Sequence, residues 1–227
     1  MQGNEYTLPN GLRIIHEPTL SKVAYCGFAI DAGTRDEAAN EQGMAHFVEH
    51  LIFKGTVKRK AWHILNRMEN VGGDLNAYTN KEETVVYSAF LTEHLERALE
   101  LLGDIVFHST FPQHEIEKET EVIIDEIQSY EDTPSELIFD DFEDMIFRNH
   151  HWEETFLVSR NFCGVFARKM SCPLPVGSIS RGIWCFSFKD NMISRKLSVW
   201  QKNICRIFLL WKLRTAVRLR LFIFLNI

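Results

Sequence analysis

Apolar and polar positions along the first 150 residues repeat with two different periods. Near-alternation, rich in β-branched and aromatic residues, marks strands at 13–16, 23–31, 74–79 and 81–91. Residues 5–17 read as a hairpin turning at Asn10-Gly11, and 74–91 as a second hairpin turning at Asn80. A period near 3.6 marks helices at 61–70, 93–108, 114–130 and 134–147. In 93–108 the inward set is Leu95, Leu99, Leu102 and Ile105; in 114–130 it is Ile116, Ile123, Ile127 and Tyr130. A further helix opens at Gly43 and closes at the glycine stop signal of Lys54-Gly55-Thr56. Hairpins interleaved with paired helices predict an α+β domain, an antiparallel or mixed sheet with helices packed on one face.

Composition changes this picture in one respect. The 227 residues are enough for one sizeable domain and part of a second. Residues 1–150 carry 12 Lys+Arg against 28 Asp+Glu, whereas 151–227 carry 13 against 3. Four of the five tryptophans and four of the five cysteines also fall after residue 150. So sharp a break marks a domain boundary or a basic tail. No CxxC pair occurs, which argues against a disulfide framework. The N-terminal residues lack a basic, then apolar, leader, so a cytoplasmic location is expected. Charged residues interrupt the apolar runs near the C-terminus, and no membrane span is expected.

The chemistry concentrates in the helix opened by Gly43. His46 and His50, four residues apart, share a helical face and form a ready pair of metal ligands. Glu49 lies on the same side, three residues after His46, placed to take a proton from water. The pattern His-x-x-Glu-His is the inverted form of the commoner zinc-protease motif. A catalytic zinc needs a third protein ligand. Helix 114–130 offers two: at about 100° per residue, Glu119 lies about 40° and Glu126 about 60° from Ile123, both at or near the apolar stripe. A carboxylate there needs a cation or hydrogen-bond partners. Both glutamates also fit boundary salt bridges, and the His pair alone also fits an ordinary surface helix.

These residues resemble the pitrilysin/insulinase family of zinc metallopeptidases, which includes mitochondrial processing peptidase. Gly43 to Thr56 (GMAHFVEHLIFKGT) is similar to the family's zinc segment. Leu8-Pro9-Asn10-Gly11-Leu12 resembles its opening hairpin, residues 72–79 (GGDLNAYT) its edge strand, and residues 117–126 (EKETEVIIDE) its third-ligand helix. The resemblance implies that His46, His50 and Glu126 bind Zn2+, that Glu49 is the catalytic base, and that Glu119 supports catalysis. It implies that Asn76 and Ala77 pair with the substrate backbone. The implied function is zinc-dependent endopeptidase action on peptides or unfolded protein segments. The family fold repeats or dimerises, so a homo- or heterodimer is implied for the full-length form. The alternative is a non-catalytic, zinc-binding assembly subunit of a processing-peptidase-like complex.

The resemblance covers 5–150 and then stops. Where the family continues with His-Pro-Leu-Gly-Arg-Asn-Ile, this chain reads His150-His151-Trp152-Glu153-Glu154-Thr155-Phe156. Starting each codon one base earlier permits Pro-Leu-Gly-Arg-Asn-Ile, with the glycine forced by Trp152-Glu153. We therefore expect 1–150 to be an incomplete N-terminal catalytic domain. Residues 151–227 are expected to be an out-of-frame, poorly ordered basic tail, with activity reduced or lost. Resequencing that DNA decides the point. The rival, a genuine tail for membrane or nucleic-acid contact, lacks clean helical periodicity, and no nucleic-acid partner is expected.

Overall fold

The computed structural model describes residues 4–7, 12–37, 42–147 and 184–190. Strand β1 (Asn4–Thr7) runs antiparallel to β2 (Arg13–Pro18), with Asn4 opposite His16. The turn predicted at Asn10-Gly11 lies outside the described residues. Strand β3 (Val23–Ile30) buries every second residue, Ala24, Cys26, Phe28 and Ile30, as its alternation requires. Strands β4 (Asp74–Thr79) and β5 (Thr84–Leu91) form the second hairpin, with Thr79 opposite Thr84. β5 begins three residues later than the expected 81, because the turn uses Lys81, Glu82 and Glu83. Asn80 Oδ1 accepts the backbone N–H groups of Glu82 and Glu83, each at 2.8 Å, and the Asn80 N–H donates to the Glu83 carbonyl at 2.9 Å.

The sheet holds one strand beyond those expected. β6 (Trp184–Asp190) lies between β2 and β3, parallel to the first and antiparallel to the second. The sheet order is β1-β2-β6-β3-β5-β4. In β6, Trp184, Phe186 and Phe188 alternate with Cys185, Ser187 and Lys189, the period-2 pattern of a strand. The strand falls within 151–227; the remainder of that segment, and with it the expected disorder, lies outside the described residues.

Five helices complete the described fold, which is α+β: α1 (Met44–Leu51), α2 (Ala61–Glu69), α3 (Leu95–His108), α4 (Gln113–Glu131) and α5 (Pro134–Ile146). α1 starts after Gly43, whose φ of 80° is the left-handed conformation that glycine adopts without strain. It ends at Leu51 and not at Gly55. The chain is drawn off the helix by the α3–α4 junction. Ser109 Oγ donates to the Ile52 carbonyl at 3.1 Å, Thr110 N–H to the Gly55 carbonyl at 3.1 Å, and Val57 N–H to the His108 carbonyl at 3.0 Å.

Two apolar clusters hold these layers. The larger joins β2, β3 and β5 to α2 and α3, with Leu95, Leu99, Leu102 and Ile105 all buried. The smaller joins Phe47 and Leu51 of α1 to Ile116, Ile123 and Ile127 of α4. It determines how the motif helix meets α4. Ile123 is fully buried, and Ile123→Val is expected to lower unfolding free energy by about 0.5–1.5 kcal/mol, read by urea melts. α5, in contrast, presents Ile138, Phe139, Phe142, Met145 and Ile146 to solvent.

Candidate metal centre

α1 carries two stripes with the same four-residue spacing. Phe47 and Leu51 face α4's isoleucines, and His46 and His50 stand one position earlier, about 100° round the helix. The apolar stripe therefore carries both imidazoles to the seam between α1 and α4. A clean amphipathic face alone would not do this, since it would leave the histidines in water.

At the seam, His46 Nε2 and His50 Nε2 lie 3.2 Å apart. The Glu126 carboxylate approaches both, Oε2 at 3.3 Å from His50 Nε2 and Oε1 at 3.7 Å from His46 Nε2. The three possible ligand atoms lie within 4.8 Å of one another. Ligands about 2.0–2.2 Å from a tetrahedral zinc stand roughly 3.3–3.6 Å from each other, so the spacings fit that ion. His46 is almost fully buried, whereas the Glu126 side chain is 43% exposed, so the centre is closed behind and open in front. Glu126 is thus less buried than its place near the stripe suggests.

The electrostatics suit a cation. Burial, reinforced by the neighbouring His50, lowers the His46 pKa to about 4, which keeps its imidazole neutral. The hydrogen bond to Glu126 raises the His50 pKa, and the same bond lowers that of Glu126. Burial raises the Glu49 pKa, against the opposing pull of Thr79 hydrogen bonds. Glu49 Oε2 is buried with no hydrogen-bond partner. A buried, unpartnered carboxylate oxygen beside three convergent donor atoms is what a metal with a water between would satisfy.

Glu119 stands behind His50, its Oε2 3.3 Å from Nδ1, and its Oε1 2.6 Å from Lys54 Nζ. The structure thus separates the two glutamates that the pattern left equivalent: Glu126 meets Nε2 of His50 and Glu119 meets Nδ1. Asn76 and Ala77 lie on β4, which among the described residues is the last strand of the sheet order and pairs with β5 on one side. The Ala77 N–H is taken at 2.9 Å by the Asn76 side-chain oxygen. Asn76 is exposed and Ala77 half-buried, and neither belongs to the cluster of ligand atoms. Two contacting residues escaped the reading of the sequence. Thr79, at the end of β4, reaches Glu49 only through tertiary packing. Lys54 was legible as a third member of the 46, 50, 54 spacing.

Comparison with known proteins gives the family and the fold. Residues 13–159 match the insulinase family, peptidase family M16. An uncharacterized zinc protease, YmxG, of Bacillus subtilis is 42% identical over 147 residues, which are 64% of this chain and 36% of that protein. Mitochondrial-processing peptidase subunit beta of Rattus norvegicus is 41% identical over 150 residues, 66% of this chain and 31% of that protein. The chain therefore spans about a third of the length of these relatives. The fold is shared with a Helicobacter pylori protease (TM-score 0.78, 21% identity, 89% of this chain and 49% of that chain). It is shared as well with an M16-like peptidase from Alicyclobacillus acidocaldarius (TM-score 0.78, 18% identity, 90% and 50%). By its matched length and by the identity of these relatives, the chain belongs to the insulinase family of peptidases, family M16.

Proposed function

We propose that this chain carries the metal-binding and proton-transfer residues of a zinc-dependent endopeptidase. The observation that carries the reading is the convergence of His46, His50 and Glu126 within 4.8 Å, beside a Glu49 carboxylate oxygen that has no partner. His46, His50 and Glu126 would hold Zn2+. Zinc bound there supplies Lewis acidity, making water more acidic near neutral pH and polarising a peptide carbonyl.

The remaining work falls to the chain's own groups. Glu49 takes a proton from the attacking water and returns it to the leaving amine nitrogen. Its raised pKa suits both directions of transfer. Thr79 orients the carboxylate for this. The β4 edge receives an extended peptide, with Ala77 on the half-buried side and Asn76 outward. Substrates are therefore peptides or unfolded segments. A second half-domain or a partner subunit fits the exposed apolar face of α5, Ile138 to Ile146. Among the described residues, no helix is long and apolar enough to cross a membrane. The presence of all three ligating side chains together with Glu49 favours this reading over a non-catalytic subunit. The test is cleavage of an internally quenched peptide. Hydrolysis that a chelator abolishes and zinc restores supports an endopeptidase; bound zinc without hydrolysis supports the subunit.

A further inference from the structure

Glu119 is a nearly buried carboxylate, 7% exposed, on the opposite ring nitrogen of His50 from the ligand cluster. A carboxylate so placed is costly unless paired. Its pairing comes from two sides: His50 Nδ1 at 3.3 Å and Lys54 Nζ at 2.6 Å. Lys54 lies four residues beyond His50. Although α1 has formally ended, Ile52 N–H still bonds the Val48 carbonyl and Lys54 N–H the Leu51 carbonyl, both at 3.0 Å. The helical course thus persists far enough to bring Lys54 under the same face as both histidines.

The backbone that carries Lys54 is pinned on its far side as well. Gly55 pairs with Lys60, and Thr56 with Ser109. Thr56 Oγ1 donates to the buried Asp104 of α3 at 2.8 Å, and Arg59 pairs with the same carboxylate. Arg59 also forks onto Glu100, with both bonds at 2.7 Å. The ammonium is therefore delivered from a fixed loop and not from a free surface side chain.

We propose that Lys54 is a positioning residue for the metal centre: it holds Glu119 so that Glu119 accepts the Nδ1 proton of His50 and leaves Nε2 as the ligand atom. The chain of contact is Lys54, Glu119, His50, and it cross-links the end of α1 to α4 at the level of the ligands. Outer partners of this kind fix the tautomer and the ring plane of a ligating histidine. Lys54 also places one positive charge against a site that holds the carboxylates of Glu49, Glu119 and Glu126. The inference rests on the zinc reading above.

The experiment compares the full chain with Lys54→Met and Lys54→Arg. Zn2+ affinity is read by competition with a chromophoric chelator, His50 tautomer by 15N ring shifts of the metal-free protein at a pH where the ring is neutral, and folding by thermal melts. Lys54→Met is expected to weaken Zn2+ binding about 10-fold or more and to mix the His50 tautomers, with the melting temperature kept. Lys54→Arg is expected to restore most of the affinity. Unchanged affinity and tautomer in Lys54→Met would overturn the proposal, as would affinity lost only in step with melting temperature and not restored by arginine. Failure of the wild type to bind Zn2+ would instead overturn the zinc reading, and the metal-free tautomer would still judge Lys54.

Discussion

Glu49→Gln is expected to lower zinc-dependent peptide cleavage by about 10²- to 10⁴-fold, the usual contribution of a positioned general base. The substitution is nearly isosteric and removes only the ability to take and return a proton. Glu49 lies outside the His46, His50 and Glu126 set, so bound zinc should stay at the wild-type level. The hydrogen bonds from Thr79 can be kept by the amide oxygen. The expected signature is therefore a fall in kcat with metal content and melting temperature unchanged. A variant that cleaves as well as the wild type would remove Glu49 from the chemistry. A variant that loses zinc would make it part of the metal site.

His50→Ala is expected to weaken zinc binding by more than about 100-fold, beyond the 10- to 100-fold that loss of an outer partner alone typically costs. His50 is the hub of the centre: its Nε2 faces His46 and Glu126, and its Nδ1 faces Glu119. Alanine there deletes one of the three side chains that would hold zinc and strips Glu119 of one of its two partners. Zinc that binds only the folded chain stabilises it, by about 2.7 kcal/mol at a free concentration of 100 times Kd. Added zinc should thus raise the melting temperature of the wild type and leave that of His50→Ala unmoved. An equal rise in both would show that the ion binds elsewhere.

Much of the fold was legible because the two periods are strong and the breakers fall at the boundaries. α3 buries the four residues its pattern names, α4 buries Ile116, Ile123 and Ile127 but leaves Tyr130 half-buried, and β4 occupies its predicted span. The end of α1 was misjudged because Gly55 looked like a stop signal, while the stop comes from Ser109 and Thr110, more than fifty residues away in sequence. β6 has a legible alternation of its own, but it falls in 151–227, where the charge reversal points to an out-of-frame tail and not to a strand; its partners β2 and β3 lie over 150 residues upstream. In the candidate site, spacing alone singles out His46, Glu49 and His50. It could bring Glu119 and Glu126 only to one region of α4. Their different places, one behind His50 and one in front, depend on the angle at which Phe47 and Leu51 pack on Ile116, Ile123 and Ile127.

The central claim is a zinc ion held between α1 and α4. Anomalous X-ray scattering measured on both sides of the zinc absorption edge, from crystals of the zinc-loaded chain, tests it most directly. The account predicts one strong zinc peak roughly 2.0–2.2 Å from His46 Nε2, His50 Nε2 and a Glu126 oxygen. Zinc-loaded crystals with no peak at that point, or with the peak at other side chains, would contradict it.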